Sequence, residues 1–285
     1  MKIVHILIKL FGINVVYRLG RAMYMRARGD VPNDMATNGE FMIQRCVIRG
    51  VQASTNERFV CFDVGANVGD WSYELLSNCK SNQCQSFDLY VFEPVPSTAK
   101  VLRERLGGNK NIHYELLALS SNDGTDVIYI AGECAGTNSL HCENVTNSSS
   151  SISINKSTVC QYCSMNNIDI IHLLKCDAEG HDMEVILGAL PLLTEGRIAV
   201  LQFEYNHRWI FSRHYLKDVF DAIDGLPYRV GKICQDHIEV YDNWYPEHER
   251  FFEANYVLLK DEVVSWFDIR ECSLDVNNAL VVATI

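Results

Sequence analysis

At 285 residues the chain is long enough for one large α/β domain with extra elements at its ends. Apolar residues make up 48% of it, an ordinary share for a packed core, which excludes disorder as its main state. Its 25 basic and 36 acidic side chains leave a formal charge of −11, and so acidic a surface repels phosphate backbones, arguing against a nucleic-acid partner.

The charge is uneven. Residues 1–29 hold Lys2, Lys9, Arg18, Arg21, Arg26 and Arg28 and no acidic side chain, so this stretch carries +6 and the remainder −17. Ile3, Ile6, Leu7, Leu10 and Phe11 follow helical spacing, with Lys2, His5 and Lys9 off that stripe, which predicts an amphipathic helix. Val15, Val16, Leu19 and Met23 continue the pattern around the arginines. The apolar runs are too short and too often broken by charge to span a bilayer. Lys9 also interrupts any signal-peptide core, and no small-residue cleavage site follows. A helical extension is expected over 1–45, ahead of a catalytic domain over 46–285. It either docks on the acidic domain, the favoured reading, or makes a peripheral contact with an anionic membrane.

From residue 59 onward, apolar strands alternate with helices. Phe59 to Val64 is predicted as a strand and Asp70 to Asn78 as a helix. Leu89 to Phe92 is a second strand, followed by a helix from Ser97 to Leu106 entered through Pro96. Ile112 to Leu119 reads as a third strand and Val127 to Ile130 as a short added one. Residues 144–158, with serines from Ser148 through Ser151, read as a surface loop. Ile170 to Cys176 is the expected central parallel strand, and Met183, Ile186, Leu187 and Leu190 give a helical stripe. Ile198 to Phe203 is a further buried strand, with a helix near Tyr215 to Ile223. Tyr228 to Ile233, Ile238 to Tyr241 and Tyr256 to Leu259 supply the last strands. This alternation implies an α/β fold, a doubly wound, mostly parallel sheet covered on both faces.

Eleven cysteines, odd in number and scattered through predicted strands (Cys61, Cys176) and helices, do not resemble a disulfide framework. Cys160 and Cys163 form a C-x-x-C, and Cys79 and Cys84 a looser pair, without the second pair a structural zinc site needs. Free thiols in a reducing cytoplasm are expected, and no metal. Asn144, Asn147 and Asn155 each head an N-x-Ser/Thr triplet, read as chance in a Ser/Asn-rich loop.

Four polar clusters fall at the carboxyl ends of predicted strands, where doubly wound sheets bind ligands. The first is F-D-V-G-A-N-V-G-D at 62–70. Gly65 and Gly69 permit a tight turn and close ligand approach, and the following helix aims its free amides at the same spot. The spacing is G-x-N-x-G rather than the G-x-G-x-x-G of NAD-dependent oxidoreductases, and Asp63 would repel a pyrophosphate but attract an ammonium or sulfonium. The second is Glu93 in V-F-E-P, 24 residues after Gly69, placed to accept from ribose hydroxyls. The third is L-L-K-C-D-A-E-G-H-D at 173–182, with Asp177, Glu179 and His181. The fourth is Q-F-E-Y-N-H at 202–207, with Glu204, Asn206 and His207. Any one of these could be a helix cap or a rim salt bridge.

These motifs, with L-A-L-S at 117–120, Asp123-Gly124 and G-T-N-S-L at 136–140, resemble the FkbM-type methyltransferase family, in order from about residue 45 to residue 225. Members often carry a Leu-Asp pair where this chain has Val159-Cys160. The resemblance implies a class I, Rossmann-like, seven-stranded methyltransferase that uses S-adenosyl-L-methionine for O-methylation of a sugar, glycan or secondary metabolite. It also implies a cofactor site: Asp63, Gly65, Ala66, Asn67 and Gly69 as the methionine-side cradle, Glu93 at the ribose, Leu119 and Ser120 beside the adenine, and Asp177 near the methionine amine. An alcohol is a poor nucleophile and calls for a base. His207 or His181 is expected in that role because histidine titrates near working pH, with Glu204, Asp177 and Glu179 in support. Binding of Mg²⁺ by Asp177, Glu179 and Glu204 is a weaker variant. The rivals are a non-catalytic adenosyl-binding scaffold and an NAD-dependent oxidoreductase. Residues 1–50, 131–160 and 206–215 are expected to build the acceptor pocket, with Trp209, Phe211, Trp244 and Tyr245 as stacking candidates.

Overall fold

The computed structural model describes residues 2–30, 33–54, 58–130, 138–141 and 150–283. It opens with helices α1 (Lys2–Phe11) and α2 (Ile13–Ala27), neither of which contains a buried residue. The favoured expectation of docking is met only near the C-terminal end of α2, where Tyr24 bonds Glu247 and Arg21 lies over Phe252. Elsewhere the arm stays exposed, since opposite charges on exposed surfaces are screened by water and salt and attract only weakly. Helix α3 (Glu40–Ser54) does pack. Ile43, Val47 and Val51 recur at four-residue spacing and are buried, and a Cβ on Gly50 would stand 2.1 Å from the Trp266 ring. The division expected at residue 45 falls within this helix.

The remaining elements follow in chain order. They are β1 (Phe59–Val64), α4 (Asp70–Ser81), β2 (Phe87–Phe92), α5 (Pro96–Leu106), β3 (Ile112–Glu115), β4 (Ala118–Leu119), β5 (Gly124–Ile130) and β6 (Ser150–Ser157). Then come α6 (Val159–Asn166), β7 (Ile171–Cys176), α7 (Asp182–Thr194), β8 (Ile198–Tyr205), α8 (Trp209–Ser212) and α9 (Leu216–Ala222). The last strands are β9 (Tyr228–Ile233), β10 (Ile238–Tyr241), β11 (Ala254–Lys260), β12 (Ile269–Leu274) and β13 (Leu280–Val282).

The main sheet runs β13-β12-β10-β9-β11-β8-β7-β1-β2-β3. Strands β3, β2, β1, β7 and β8 are mutually parallel, and β11 inserts antiparallel between β8 and β9. Among the described residues the sheet has ten strands rather than the expected seven, because β10, β12 and β13 continue it past β9. Both faces are covered, so the central strands alternate between two cores. Phe62 and Val64 of β1 face α6, α7 and α9, whereas Phe59 and Cys61 face α3, α4 and α5.

A second sheet, β4-β6-β5, stands apart. Two expectations are corrected by it. The run Ile112 to Leu119 is not one strand: β3 ends at Glu115, and Ala118–Leu119 pairs with β6 instead. Residues 150–157 are a strand rather than a surface loop, paired along the whole of β5, with Ile154 buried beneath the polar run. Asn155 lies in this strand, while residues 142–149, including Asn144 and Asn147, and residues 131–137 lie outside the described residues.

Candidate active site

The site forms where β1, β2 and β7 end side by side. The chain leaves β1 through Gly65, whose φ of 76° lies in the left-handed region. A Cβ there would stand 2.0 Å from the Asp177 carbonyl oxygen, so only glycine lets the β1 and β7 ends approach this closely. The amides of Gly65 and Ala66 both donate to the Phe92 carbonyl, at 3.1 and 3.0 Å, which stitches the turn to β2. Gly69 caps α4 with φ 85°, and a Cβ on it would meet Leu102 Cδ1 at 2.6 Å. Its role is to seat α4 against α5.

One residue past β2, Glu93 is buried and accepts from the Asn67 amide at 3.0 Å and the Val95 amide at 2.9 Å. Burial pushes its carboxyl up to about 7, against the pull of those two amides. Asn67 sits beside it with φ 46°, and its buried Oδ1 has no hydrogen-bond partner.

At the end of β7, Lys175 is fully buried, with Nζ 3.2 Å from Asp177 and 3.7 Å from Asp63. Glu179 takes φ 54°, a strained position for a non-glycine residue. Its carboxylate pairs with Arg208 at 2.6 Å, yet burial and then Asp177 push it up to about 8. The Asp182 carboxylate accepts from the amides of Ala178 and Gly180, both at 3.2 Å, and so fixes the turn that presents Glu179. Ser139 Oγ donates to the Glu179 carbonyl at 3.0 Å. His181 is buried, with Nε2 3.0 Å from Ser120 Oγ and Nδ1 3.4 Å from His141 Nε2. Burial, and next His141, hold it down to about 4, so its ring is neutral near pH 7.

These groups line one cavity. Gly65, Asn67, Glu93, Asp177 and Glu179 give it polar lining, and Phe92, Leu117, Leu119, Ile128 and Leu140 apolar lining. His181 also contributes to the wall. Six expected residues, Asp63, Ala66, Gly69, Ser120, Glu204 and His207, are not on the cavity wall. Asp63 is wholly buried on the α4 side, where Oδ2 accepts from Ser72 Oγ at 2.6 Å, so it is not part of the cavity wall. Glu204 is buried away from this cavity, accepting from Asn33 at 2.9 Å and Asn206 at 2.7 Å. His207 is exposed and borders a separate groove with Arg21, Asp30 and Phe251. Ala66 is buried against the α4 side and Ser120 reaches the cavity only through His181. Among the expected stacking candidates, Trp209 is a buried core residue.

Sequence reasoning gave Lys175 no role, and it placed Arg208 and Asn138–His141 only within the segments 206–215 and 131–160 expected at the acceptor pocket; Asn138 and Leu140 line this cavity. The signal for these two was G-T-N-S-L at 136–140, quoted without a role. Among the described residues, ligand atoms of three metal-binding side chains converge at Cys234, His237 and Glu239, three strands away from β7 in the sheet, and not at Asp177, Glu179 and Glu204.

A cavity lined by a buried acid just past β2, an unpartnered amide oxygen and several apolar side chains fits an adenosyl group linked to an amino acid. This sheet and this site define a class I S-adenosylmethionine-dependent methyltransferase. Residues 63–230 match the model of the methyltransferase FkbM domain, more than half of the chain, and the protein belongs to that family. No curated protein matches the sequence. Among solved structures it is similar to precorrin-6y C5,15-methyltransferase from Geobacter metallireducens GS-15, with 12% identity, a TM-score of 0.36 and coverage of 77% of this chain and 89% of that one. It is also similar to a TehB-like SAM-dependent methyltransferase from Corynebacterium glutamicum, at 9% identity and TM-score 0.35 over 86% of this chain and 96% of that one. The plantazolicin methyltransferase BpumL in complex with SAH gives 8% identity and TM-score 0.39 over 84% and 90%.

Proposed function

We propose that the protein methylates a hydroxyl group on a sugar, glycan or secondary metabolite. The observation that carries this reading is Glu179: a carboxylate on the cavity wall, held by Arg208 and raised to about 8. An alcohol must lose its proton as it attacks, and a carboxylate of raised basicity is suited to take it. S-adenosylmethionine, when bound, supplies a methyl group on a sulfonium, open to in-line displacement.

The chain's own residues then have distinct tasks. Glu93 accepts from the ribose hydroxyls, Phe92 and Leu119 lie against the adenine, and Asp177 and Asn67 meet the amino-acid end. His181, neutral and tied to Ser120, positions the turn and excludes water.

The test is transfer of a labelled methyl group from S-adenosylmethionine to small-molecule and glycan fractions, followed by identification of the labelled linkage. An O-methyl ether is expected. Label on nitrogen or carbon would overturn the choice of acceptor, and S-adenosylhomocysteine binding without any turnover would favour the scaffold reading.

A further inference from the structure

We infer that α1 and α2 form an arm that lies on an anionic lipid surface. The arm leaves an apolar surface without a partner. Ile3 is 73% exposed, Leu10 69% and Met23 64%, and Phe11, Ile13 and Leu19 are likewise open. In α1 the polar residues Lys2, His5 and Lys9 share one narrow face, and the other seven residues are apolar. In α2, Val15, Leu19 and Met23 form a stripe, with Arg18 and Arg21 on a different side. A soluble chain that had a use for these side chains in its own core would have buried them.

Charge selects the occupant. The stretch 1–29 carries +6 with no acidic residue, while the remainder of the chain carries −17. A second copy would bring the same +6 against the first, and like charges at close range oppose such pairing. The acidic body engages only the base of the arm, through Tyr24 and Arg21, and leaves the apolar stripe of α1 uncovered. An anionic bilayer offers both complements at once: negative headgroups for the lysines and arginines, and acyl chains for the apolar stripe. Ten and fifteen residues of helix reach about 15 and 22 Å, short of the roughly 30 Å hydrocarbon core, so the arm lies along the surface rather than crossing it. Among the described residues no helix is long and apolar enough to cross a membrane.

The arm is fixed at its base, so binding there orients the body. Tyr24 OH donates to Glu247, Arg250 stacks 5.4 Å over the Tyr24 ring, and Arg21 lies 5.3 Å over Phe252. Just past α2, Lys232 donates to the Arg28 carbonyl at 2.8 Å and pairs with Asp30 at 2.6 Å. The groove that contains His207 begins at Arg21, so it opens at the root of the arm.

The full chain is to be sedimented with vesicles of phosphatidylcholine, with and without phosphatidylserine, at low and high salt. Binding to the phosphatidylserine vesicles, released by salt, is expected, with little binding to phosphatidylcholine alone. Reversing two charges, Lys9→Glu with Arg18→Glu, lowers the partition by about tenfold or more, since each basic residue near such a surface contributes severalfold. Ile6→Asp with Leu10→Asp abolishes binding, while S-adenosylhomocysteine binding stays unchanged and reports an intact fold. Equal sedimentation of wild type and both variants would overturn the inference. So would a wild-type dimer in light scattering that the Ile6→Asp, Leu10→Asp variant dissolves, with no vesicle binding by either.

Discussion

Gly65 and Asp177 meet backbone to backbone: a Cβ on the glycine would stand 2.0 Å from the aspartate's carbonyl oxygen. The contact joins the ends of β1 and β7 at the floor of the cavity, and the obstacle is main chain, which cannot rotate aside. Gly65→Ala therefore combines a clash with a left-handed φ of 76°. A loss of about 2–4 kcal/mol is expected from those two costs together, with S-adenosylhomocysteine affinity lost as well. Chemical denaturation and calorimetric titration check both; a variant as stable as wild type would mean that the strand ends part easily.

Glu93, proposed at the ribose, should couple cofactor binding to pH. Its carboxyl rises from an ordinary value near 4.5 to about 7 on folding, so the folded protein binds the proton more tightly than the unfolded chain. That contribution to stability is complete below about 4.5 and is lost as pH rises to about 7. Glu93→Gln should remove this slope from the difference between the two stability curves. Affinity for S-adenosylhomocysteine should rise through the same window in wild type, as the carboxylate forms to accept from the ribose, and stay flat in the variant.

His181 acts in the opposite sense. Burial lowers it to about 4, so folding expels a proton wherever the unfolded imidazole is charged. The stability it contributes is present above about 6.5 and is lost as pH falls towards 4. His181→Gln should make the protein less sensitive to acid over that interval, as read from thermal midpoints across a pH series.

The base is tested by Glu179→Gln and His207→Ala. Glu179 lies on the cavity wall, and its removal should lower kcat by about 10²–10⁴, the usual worth of a general base. Wild-type kcat should climb as pH passes through about 8, where the carboxylate forms, and the variant should lack that limb. His207 is exposed outside the cavity, so His207→Ala should leave kcat within about threefold of wild type, below the contribution expected of a base. The reverse ordering would move the chemistry to the rim of β8.

Much of this was legible in the sequence because parallel strands buried on both faces read as continuous apolar runs, and glycine and acid residues punctuate their ends. Asp63 was misread for a reason the same pattern contains. Strand side chains alternate, and Asp63 shares its parity with Phe59 and Cys61, which face α4, not with Phe62 and Val64. Strand β6 was hidden by its serines, which occupy the open face while Ile154 packs beneath. The pairing of Glu179 with Arg208 joins two segments that sequence spacing cannot relate, as does the approach of Leu140 to Leu119 across the cavity.

The excursion between β3 and β7 has a consequence for how such a protein can change. Between β3 and β7 the described strands β4, β5 and β6 form the small sheet apart from the main one, and Ile128 and Leu140 from this region line the cavity beside the strand ends. The two sheets thus share one wall: altering Ile128 or Leu140 would change the shape of the cavity while leaving untouched the strand register that aligns Gly65, Glu93 and Asp177.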